Sequence, residues 1–251
     1  MKKFNYKYYI RKSHRYLGIF IGIQFIFWTL GGLYFSWTDI DEIHGDLFRK
    51  EKAEINFSQD FISPKAVIGK IENSQNAPKI ENMRVIEISG SPFYEFAVAG
   101  KDKNFIVADA ISGEIRENIT EQEAKQIAAE SLAKPLEVQE IIYLTKDNVG
   151  GHHEYREKPL PAWAITYEND LTVYLSAETG QIGAFRTTKW RIFDFLWMLH
   201  TMDFLGRDNI NNYLLRAFSI LGIVTVLSGF SLFFVSSKFI RRRRKWKMDN
   251  E

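Results

Sequence analysis

The sequence has no cysteine among its 251 residues. This absence excludes disulfide bonds, thiolate zinc sites, iron–sulfur clusters and haem attached covalently to the chain. The sequence also lacks a glycine-rich phosphate-binding loop, an HExxH metal motif and the Ser-His-Asp order of hydrolases. Nucleotide-dependent and hydrolytic chemistry therefore have no support in its motifs.

Two uncharged runs are long enough to cross a bilayer, for which ~20 apolar residues suffice. The first covers 16–38, and the second extends from Ala217 to Ser237. The first run is longer than the apolar region of a secretory signal (~7–15 residues), and no small-x-small cleavage pattern follows it. We therefore predict membrane-spanning helices at 16–38 and 214–237.

Basic residues flank both runs. Residues 1–16 contain six Lys or Arg and no acid, and residues 238–251 contain seven Lys or Arg against two acids. Of the totals of 33 basic and 31 acidic residues, 20 basic and 29 acidic residues remain between these segments. Because positive segments stay on the cytoplasmic side, we expect both termini in the cytoplasm of a bacterium and residues 39–215 exported across its inner membrane to the periplasm. The basic tail then indicates contact with membrane lipid rather than nucleic acid.

The exported region contains an internal repeat, at 94–115 and again 67 residues later at 161–182. Each copy has two alternating apolar strands around a polar turn, followed by Ala-x-Ser/Thr-Gly-x-Ile. A helix-like stretch precedes each copy, and Thr120 with Glu123 predicts a capping box before the second. Each unit is thus predicted to be a helix followed by about three antiparallel strands, and two units together have the length to form an α+β core.

This order of helix, strands and Ala-x-Ser/Thr-Gly-x-Ile resembles the PepSY domain. The layout, with His14-Arg15 opening the first helix and a glycine-containing last helix, resembles the PepSY-associated transmembrane family over nearly the whole chain. The resemblance implies membrane α plus exported α+β: two transmembrane helices flanking a tandem PepSY-like helix/antiparallel-strand domain, with an interfacial helix before the second span. The predicted segments are a cytoplasmic N-terminus at 1–15, transmembrane helix 1 at 16–38, a linker at 39–57, repeats at 58–117 and 118–186, an interfacial amphipathic helix at 190–205, transmembrane helix 2 at 214–237 and a cytoplasmic tail at 238–251.

Some members of that family resemble haem-bearing inner-membrane reductases that serve siderophore iron uptake. The resemblance therefore implies a component associated with haem b that passes electrons across the membrane to an exported ferric siderophore. The alternative is a non-enzymatic, membrane-anchored PepSY module that binds a partner protein or peptide, as a protease modulator or as a transporter accessory subunit.

Haem b held inside a membrane needs histidine nitrogens near the membrane faces. His14 lies at the predicted inner face, with Gly18 and Gly22 at i+4 and i+8 on the same helical face. The two glycines leave room for a flat porphyrin, although their spacing is also typical of helix–helix packing. The last helix has no histidine near its inner end. Either a homodimer supplies His14 of the other copy as the second ligand, or the chain holds only one haem, or it holds none.

His200 lies in the segment 190–205, which is too charged to span a membrane and too apolar for a free loop. We predict a helix at the outer membrane surface, with His200 on its aromatic face and Asp194 and Thr201 turned away from that face. The imidazole is then either a haem ligand or the partner of Asp203 or of a backbone carbonyl.

The three remaining histidines are His44, His152 and His153. His44 is predicted at the same outer face as His200, where the two could form an axial pair; alternatively it is solvated in an acidic stretch. His152 and His153 lie in a polar loop and are predicted to be solvated. The predicted cofactor ligands are therefore His14, His44 and His200, and the sequence assigns neither a catalytic residue nor a metal site.

Overall fold

The structure is a computed structural model, and it describes residues 6–51, 59–73, 79–99 and 104–237. The chain forms two compact units. We name residues 1–37 and 193–251 the helical unit, and residues 38–192 the α+β unit. Several predicted features lie outside the described residues: the start of the basic N-terminus at 1–5, most of the linker end at 52–57, the polar turn at 101–103 and the basic tail at 238–251.

The helical unit contains two helices that are long and apolar enough to cross a membrane. Helix α1 extends over Tyr6–Trp37 and helix α6 over Tyr213–Ser236. Their apolar side chains are largely exposed, for example Ile19 and Phe233 at 64% each. A core helix of a soluble protein would bury such side chains, whereas lipid accommodates them. Helix α1 also begins at least ten residues before the predicted span, so its first turns carry basic residues.

Helices α1 and α6 pack against each other in antiparallel directions. A Cβ atom added at Gly222 would lie 3.6 Å from the ring of Phe25, and one added at Gly229 would lie 3.2 Å from the ring of His14. Both glycines belong to α6, and the contact order along the two helices is reversed. Small residues of α6 thus allow larger side chains of α1 to approach closely.

Helix α5, Thr188–Thr201, differs from the surface helix predicted at 190–205. Within the helical unit it packs lengthwise on α1, and the ring centroids of Phe35 and Phe193 are 4.8 Å apart. Asp194 and Thr201, which were expected to turn away from the buried face, are 3% and 1% exposed. The predicted polar face is corrected accordingly. Within the helical unit, Asp194 forms an ion pair with Arg207, and the hydroxyl of Thr201 forms hydrogen bonds with backbone carbonyls. Both polar side chains can therefore be buried without contact to water.

Side chains satisfy the last carbonyl groups of α5. A helix end leaves four carbonyls without an intrahelical partner, and burying them unpaired is costly. The hydroxyl of Thr201 donates to the carbonyls of Trp197 and Met198. Three more carbonyls accept from other segments: Leu199 from Gln24 Nε2 at 2.8 Å, His200 from Trp28 Nε1 at 2.9 Å, and Thr201 from Asn212 Nδ2 at 2.8 Å.

The α+β unit begins with the short helix α2, Ile40–His44, and then contains two similar parts. Each part is a helix followed by an antiparallel sheet, as the repeat predicted, with strand order β1-β2-β3 in the first and β4-β5-β6-β7 in the second. The first part consists of α3 Pro64–Glu72, β1 Ile80–Ile88, β2 Ser91–Val98 and β3 Asn104–Asp109. The second part consists of α4 Glu121–Glu130, β4 Val138–Leu144, β5 Ala162–Tyr167, β6 Thr172–Ser176 and β7 Ile182–Arg186.

Equivalent turns confirm the internal repeat. Gly113 and Gly180 both have positive φ, +68° and +67°, a conformation that glycine adopts without strain. The capping box before the second part is also confirmed. Thr120 Oγ1 accepts from the Glu123 backbone N–H at 3.3 Å, and Glu123 Oε2 accepts from the Thr120 N–H at 2.9 Å. The hydrogen bonds from Thr120 and the nearby guanidinium of Arg116 lower the pKa of Glu123.

Each helix covers its own sheet with small or branched side chains. Ala124 and Ala128 of α4 pack on the second sheet, and Val67 and Ile71 of α3 pack on the first. The two parts meet at one end through polar contacts. The pairs are Gln181 Nε2 to the Glu87 carbonyl, 3.0 Å, and the Phe105 N–H to Glu178 Oε2, 3.1 Å.

Candidate functional site

A cleft of about 580 Å³ lies between the two parts of the α+β unit. Its volume falls within the range of ligand pockets in proteins. Strand β1 forms one wall, the C-terminal end of α4 and the start of β7 form the other, and residues 49–51 close one side. The apolar lining consists of Val85, Ile86, Ile88, Ile127, Ile182 and Phe185.

Strand β1 presents its free edge to this cleft, because it pairs only with β2 in the described sheet. Ser89 and Gly90 have φ values of +48° and +81°, and they form a two-residue turn that sets Ile88 opposite Ser91. In such a hairpin alternate residues bond to the partner strand. Ile88 and Ile86 therefore bond to β2, whereas the backbone groups of Val85 and Glu87 point away from it.

Most of these outward groups have no partner in the described part of the chain. The Glu87 carbonyl accepts from Gln181, as stated above. The N–H and carbonyl of Val85 and the N–H of Glu87 form no hydrogen bond with any described residue outside the sheet. Val85 is half-buried, so this unpaired backbone faces a cleft rather than open solvent.

The opposite edge of the same sheet is covered. Strand β3 turns alternate backbone groups outward by the same geometry, and most of these have a described partner. The pairs are the Phe105 N–H with Glu178 Oε2 at 3.1 Å, the Val107 carbonyl with the Arg116 N–H at 2.8 Å, and the Asp109 N–H with the Glu114 carbonyl at 2.9 Å. Proteins commonly cover sheet edges in this way. Among the described residues, the edge at β3 is therefore more fully paired than the stretch of β1 at Val85 and Glu87 that faces the cleft.

The charged groups around the cleft are mixed in sign. Arg84 forms a two-pronged hydrogen bond with the buried carboxylate of Glu95, which raises the pKa of Arg84. The guanidinium of Arg49 lies over the ring of Phe185 at 4.9 Å. The described lining residues include no histidine, and the hydroxyl of Ser131 donates to a helix carbonyl rather than to a base. Among the described lining residues, no hydroxyl is therefore paired with a histidine that could activate it as a nucleophile.

His14 lies in the α1–α6 interface of the helical unit. Its Nδ1 is 2.7 Å from the hydroxyl of Ser228, and Gly229 leaves the space beside its ring. A Cβ atom added at Gly18 or Gly22 would meet no other atom within 4 Å, so both positions border open space. Their role beside a porphyrin stays a prediction. The small residue beside His14 comes from the other helix, which one-helix periodicity cannot reveal.

His200 lies among aromatic rings. Its ring stacks on Trp197 at 6.0 Å with an interplanar angle of 7°, and Trp28 and Phe35 are close on other sides. Its Nδ1 is buried and has no hydrogen-bond partner among the described residues. The carboxylate of Asp203, considered as its partner, instead accepts backbone N–H groups of residues 206 and 209.

The structure does not bring His14 and His200 together. His200 contacts Trp28, which lies 14 residues beyond His14 on α1, roughly 21 Å along a helix. His44 is the last residue of α2, is exposed and belongs to the α+β unit. The axial pair of His44 and His200 stays a prediction.

The remaining histidines show no metal site. His153 Nδ1 accepts the Tyr155 backbone N–H at 3.0 Å, and partial burial lowers the pKa of His153. Among the described residues, no group of three or more His, Asp or Glu side chains is placed to hold a metal ion.

Sequence reasoning missed the cleft and the buried polar contacts of the helical unit. The Ser89-Gly90 pair between two alternating runs is a hairpin signal that could have shown β1 as an edge strand. Gln24 is a long polar side chain inside an uncharged run, and this could have indicated a polar partner in the membrane. No comparable pattern indicates that the two sheets leave a cleft between them.

Comparison with protein-family models, with curated proteins and with solved structures finds no match to this chain.

Proposed function

We propose that this protein is a membrane-anchored binding module whose α+β unit binds a polypeptide segment of a partner protein in the cleft. The observation that carries the proposal is the 580 Å³ cleft with an apolar floor and an unpaired strand edge in its wall. Apolar clefts with a few directed polar groups are the usual form of binding sites. The mixed charges, and the lack of a histidine-activated hydroxyl among the described lining residues, favour binding over catalysis.

The proposed topology follows from the charges and the two long helices. Helices α1 and α6 anchor the chain in a bacterial inner membrane, both termini are cytoplasmic, and residues 39–215 lie in the periplasm. The resemblance to the PepSY-associated transmembrane family supports the same arrangement. In that setting the α+β unit meets exported proteins, as a modulator of a protease or as an accessory subunit of a transporter.

Site-specific photo-crosslinking tests the binding proposal. A photoreactive amino acid replaces Glu130, which lines the cleft, or Glu121, which is exposed at the other end of the same helix. We expect a crosslinked partner polypeptide from position 130 and none from position 121, after irradiation of the full-length protein in its own membrane. Equal crosslinking from both positions, or none from position 130, would contradict the proposal.

A second candidate is the haem-b reductase, and the buried, unpartnered Nδ1 of His200 favours it. Haem bound there would carry single electrons towards an exported ferric siderophore. The residues of one helical unit offer only part of such a site, because His14 lies roughly 21 Å away along α1. In a homodimer, the His200 side chains of the two copies would be the residues that hold the haem.

The absorption spectrum of the detergent-purified protein tests this candidate. Stoichiometric haem b would give a Soret band and a sharpened α band after dithionite, both lost in His200→Ala and retained in His153→Ala. A protein that stays colourless after haem supplementation rules the reductase out.

A further inference from the structure

We infer that the cleft binds its partner as an extended segment that pairs with β1 and adds a fourth strand to the first sheet. This inference rests on the binding function proposed above, and it specifies the chemical class of the ligand. The ligand is a stretch of polypeptide in β conformation, recognised mainly through its backbone.

The backbone of β1 carries the argument. The outward N–H and carbonyl of Val85 and the outward N–H of Glu87 have no described partner. These groups alternate along the strand at the spacing of a sheet ladder, and an extended chain is the ligand that satisfies them in sequence. A small organic molecule has no matching repeat of donors and acceptors.

The two edges of the first sheet differ in the way that this inference requires. Contacts from Glu114, Arg116 and Glu178 cover β3, whereas the side chain of Gln181 reaches only one carbonyl of β1. Gln181 therefore marks one end of the open stretch, and an added strand would run from Glu87 past Val85.

The lining of the cleft sets the side-chain preference. Ile86, Ile88 and Ile127 form a buried apolar cluster, and Phe185 lies nearby in the lining. Successive side chains of a strand point to opposite faces. Every second side chain of the bound segment would thus face this apolar lining and should be aliphatic or aromatic, whereas the residues between them are less restricted.

A peptide-selection experiment tests the inference. A phage library of random twelve-residue peptides is selected on the full-length protein in lipid nanodiscs and compared with Glu130→Trp, whose larger side chain narrows the cleft. Peptides that prefer the unmodified protein are then synthesised with single N-methylated backbone amides at successive positions. N-methylation removes a donor without changing the side chain.

We expect N-methylation at alternate positions to weaken binding about tenfold, because each such change removes one hydrogen bond to β1. At the intervening positions it should change binding little, because those amides point away from β1. Amide hydrogen exchange should slow at Val85 in the complex. Exchange at Ile86, whose N–H already bonds to β2, is the matched control and should stay unchanged.

The outcomes separate the two proposals. Without any peptide that prefers the unmodified protein to Glu130→Trp, the binding function itself fails. Peptides that bind in the cleft while tolerating N-methylation at every position, with Val85 exchange unaltered, leave the binding function standing and overturn strand addition. An alternating pattern with protection at Val85 supports both.

Discussion

Asp194 and Arg207 form an ion pair inside the helical unit, with the carboxylate of Asp194 almost completely buried. Asp194 belongs to α5, and Arg207 lies in the segment that leads from α5 to α6. This ion pair joins the two segments inside the unit. A helix that faced only lipid or only solvent would not place a charged side chain at such a buried position. Breaking such a pair leaves one charge buried without its partner.

We therefore expect Asp194→Ala to destabilise the protein by about 3–5 kcal/mol, the usual cost of a buried charge left alone. Replacing both residues together, as Asp194→Leu with Arg207→Met, should cost less because no buried charge remains. Unfolding of both variants in the same detergent provides the measurement. If the double variant has a lower free energy of unfolding than Asp194→Ala, the ion pair stabilises the fold by more than the neutralisation of a buried charge.

The capping box gives a second prediction. Thr120→Ala should lower the free energy of unfolding by about 1 kcal/mol, because α4 loses the side-chain acceptor for its first turn. Thr120→Ser, which keeps a hydroxyl that can accept from the Glu123 N–H, is the matched control and should lose little stability. Equal stability of Thr120→Ala and the unmodified protein in denaturant titration would refute a role for the cap.

The lowered pKa of Glu123 predicts a pH dependence with a definite sign. Its pKa in the folded state lies below the ordinary value of 4.5. Ionised Glu123 therefore contributes to stability at pH values above 4.5, and this contribution is lost as the pH falls through the folded pKa. Glu123→Gln should remove this part of the acid sensitivity. Denaturant midpoints measured between about pH 6 and pH 3 test the difference, which should shrink towards the acid end.

Two buried tyrosines predict how the stability of the fold changes at alkaline pH. Burial raises the pKa of both Tyr155 and Tyr167 to about 12 from an ordinary 10. The folded state holds these protons more tightly than the unfolded chain, so their contribution to stability is present below pH 10 and is lost as pH rises towards 12. Burial also raises the pKa of Tyr94 and Tyr174. Ultraviolet titration of phenolate should therefore show Tyr155 and Tyr167 among the tyrosines that ionise late, and each single Phe variant should remove one late-ionising group.

The surroundings of Tyr167 also predict the effect of removing its hydroxyl group. Its hydroxyl is buried and forms no hydrogen bond within the part of the chain that the structure describes, and an unsatisfied buried hydroxyl costs free energy. Tyr167→Phe should thus be neutral or stabilise the protein by about 1 kcal/mol. Tyr94→Phe is the matched control, because the Tyr94 hydroxyl donates to the Ile62 carbonyl at 2.7 Å and its loss should destabilise. A clear loss of stability in Tyr167→Phe would contradict the contact pattern.

Local sequence patterns were sufficient for the elements that depend on neighbours along the chain. The Thr120–Glu123 cap, the repeated hairpins and the two long apolar helices all follow from spacings of a few residues. The contacts of Asp194 and of His14 depend instead on residues 13 and 214 positions away. A periodicity assigns a polar side chain to a solvent face by default, and it cannot show that a distant partner has made burial acceptable.

The carbonyl groups at the end of α5 have a consequence for the order of synthesis. Their donors come from Gln24 and Trp28, made early, and from Asn212, made after α5 itself. A ribosome releases the chain from its N-terminus, so α5 emerges when only some of these donors exist. The end of α5 can therefore reach its full native hydrogen bonding only after Asn212, the residue that precedes α6, has been made.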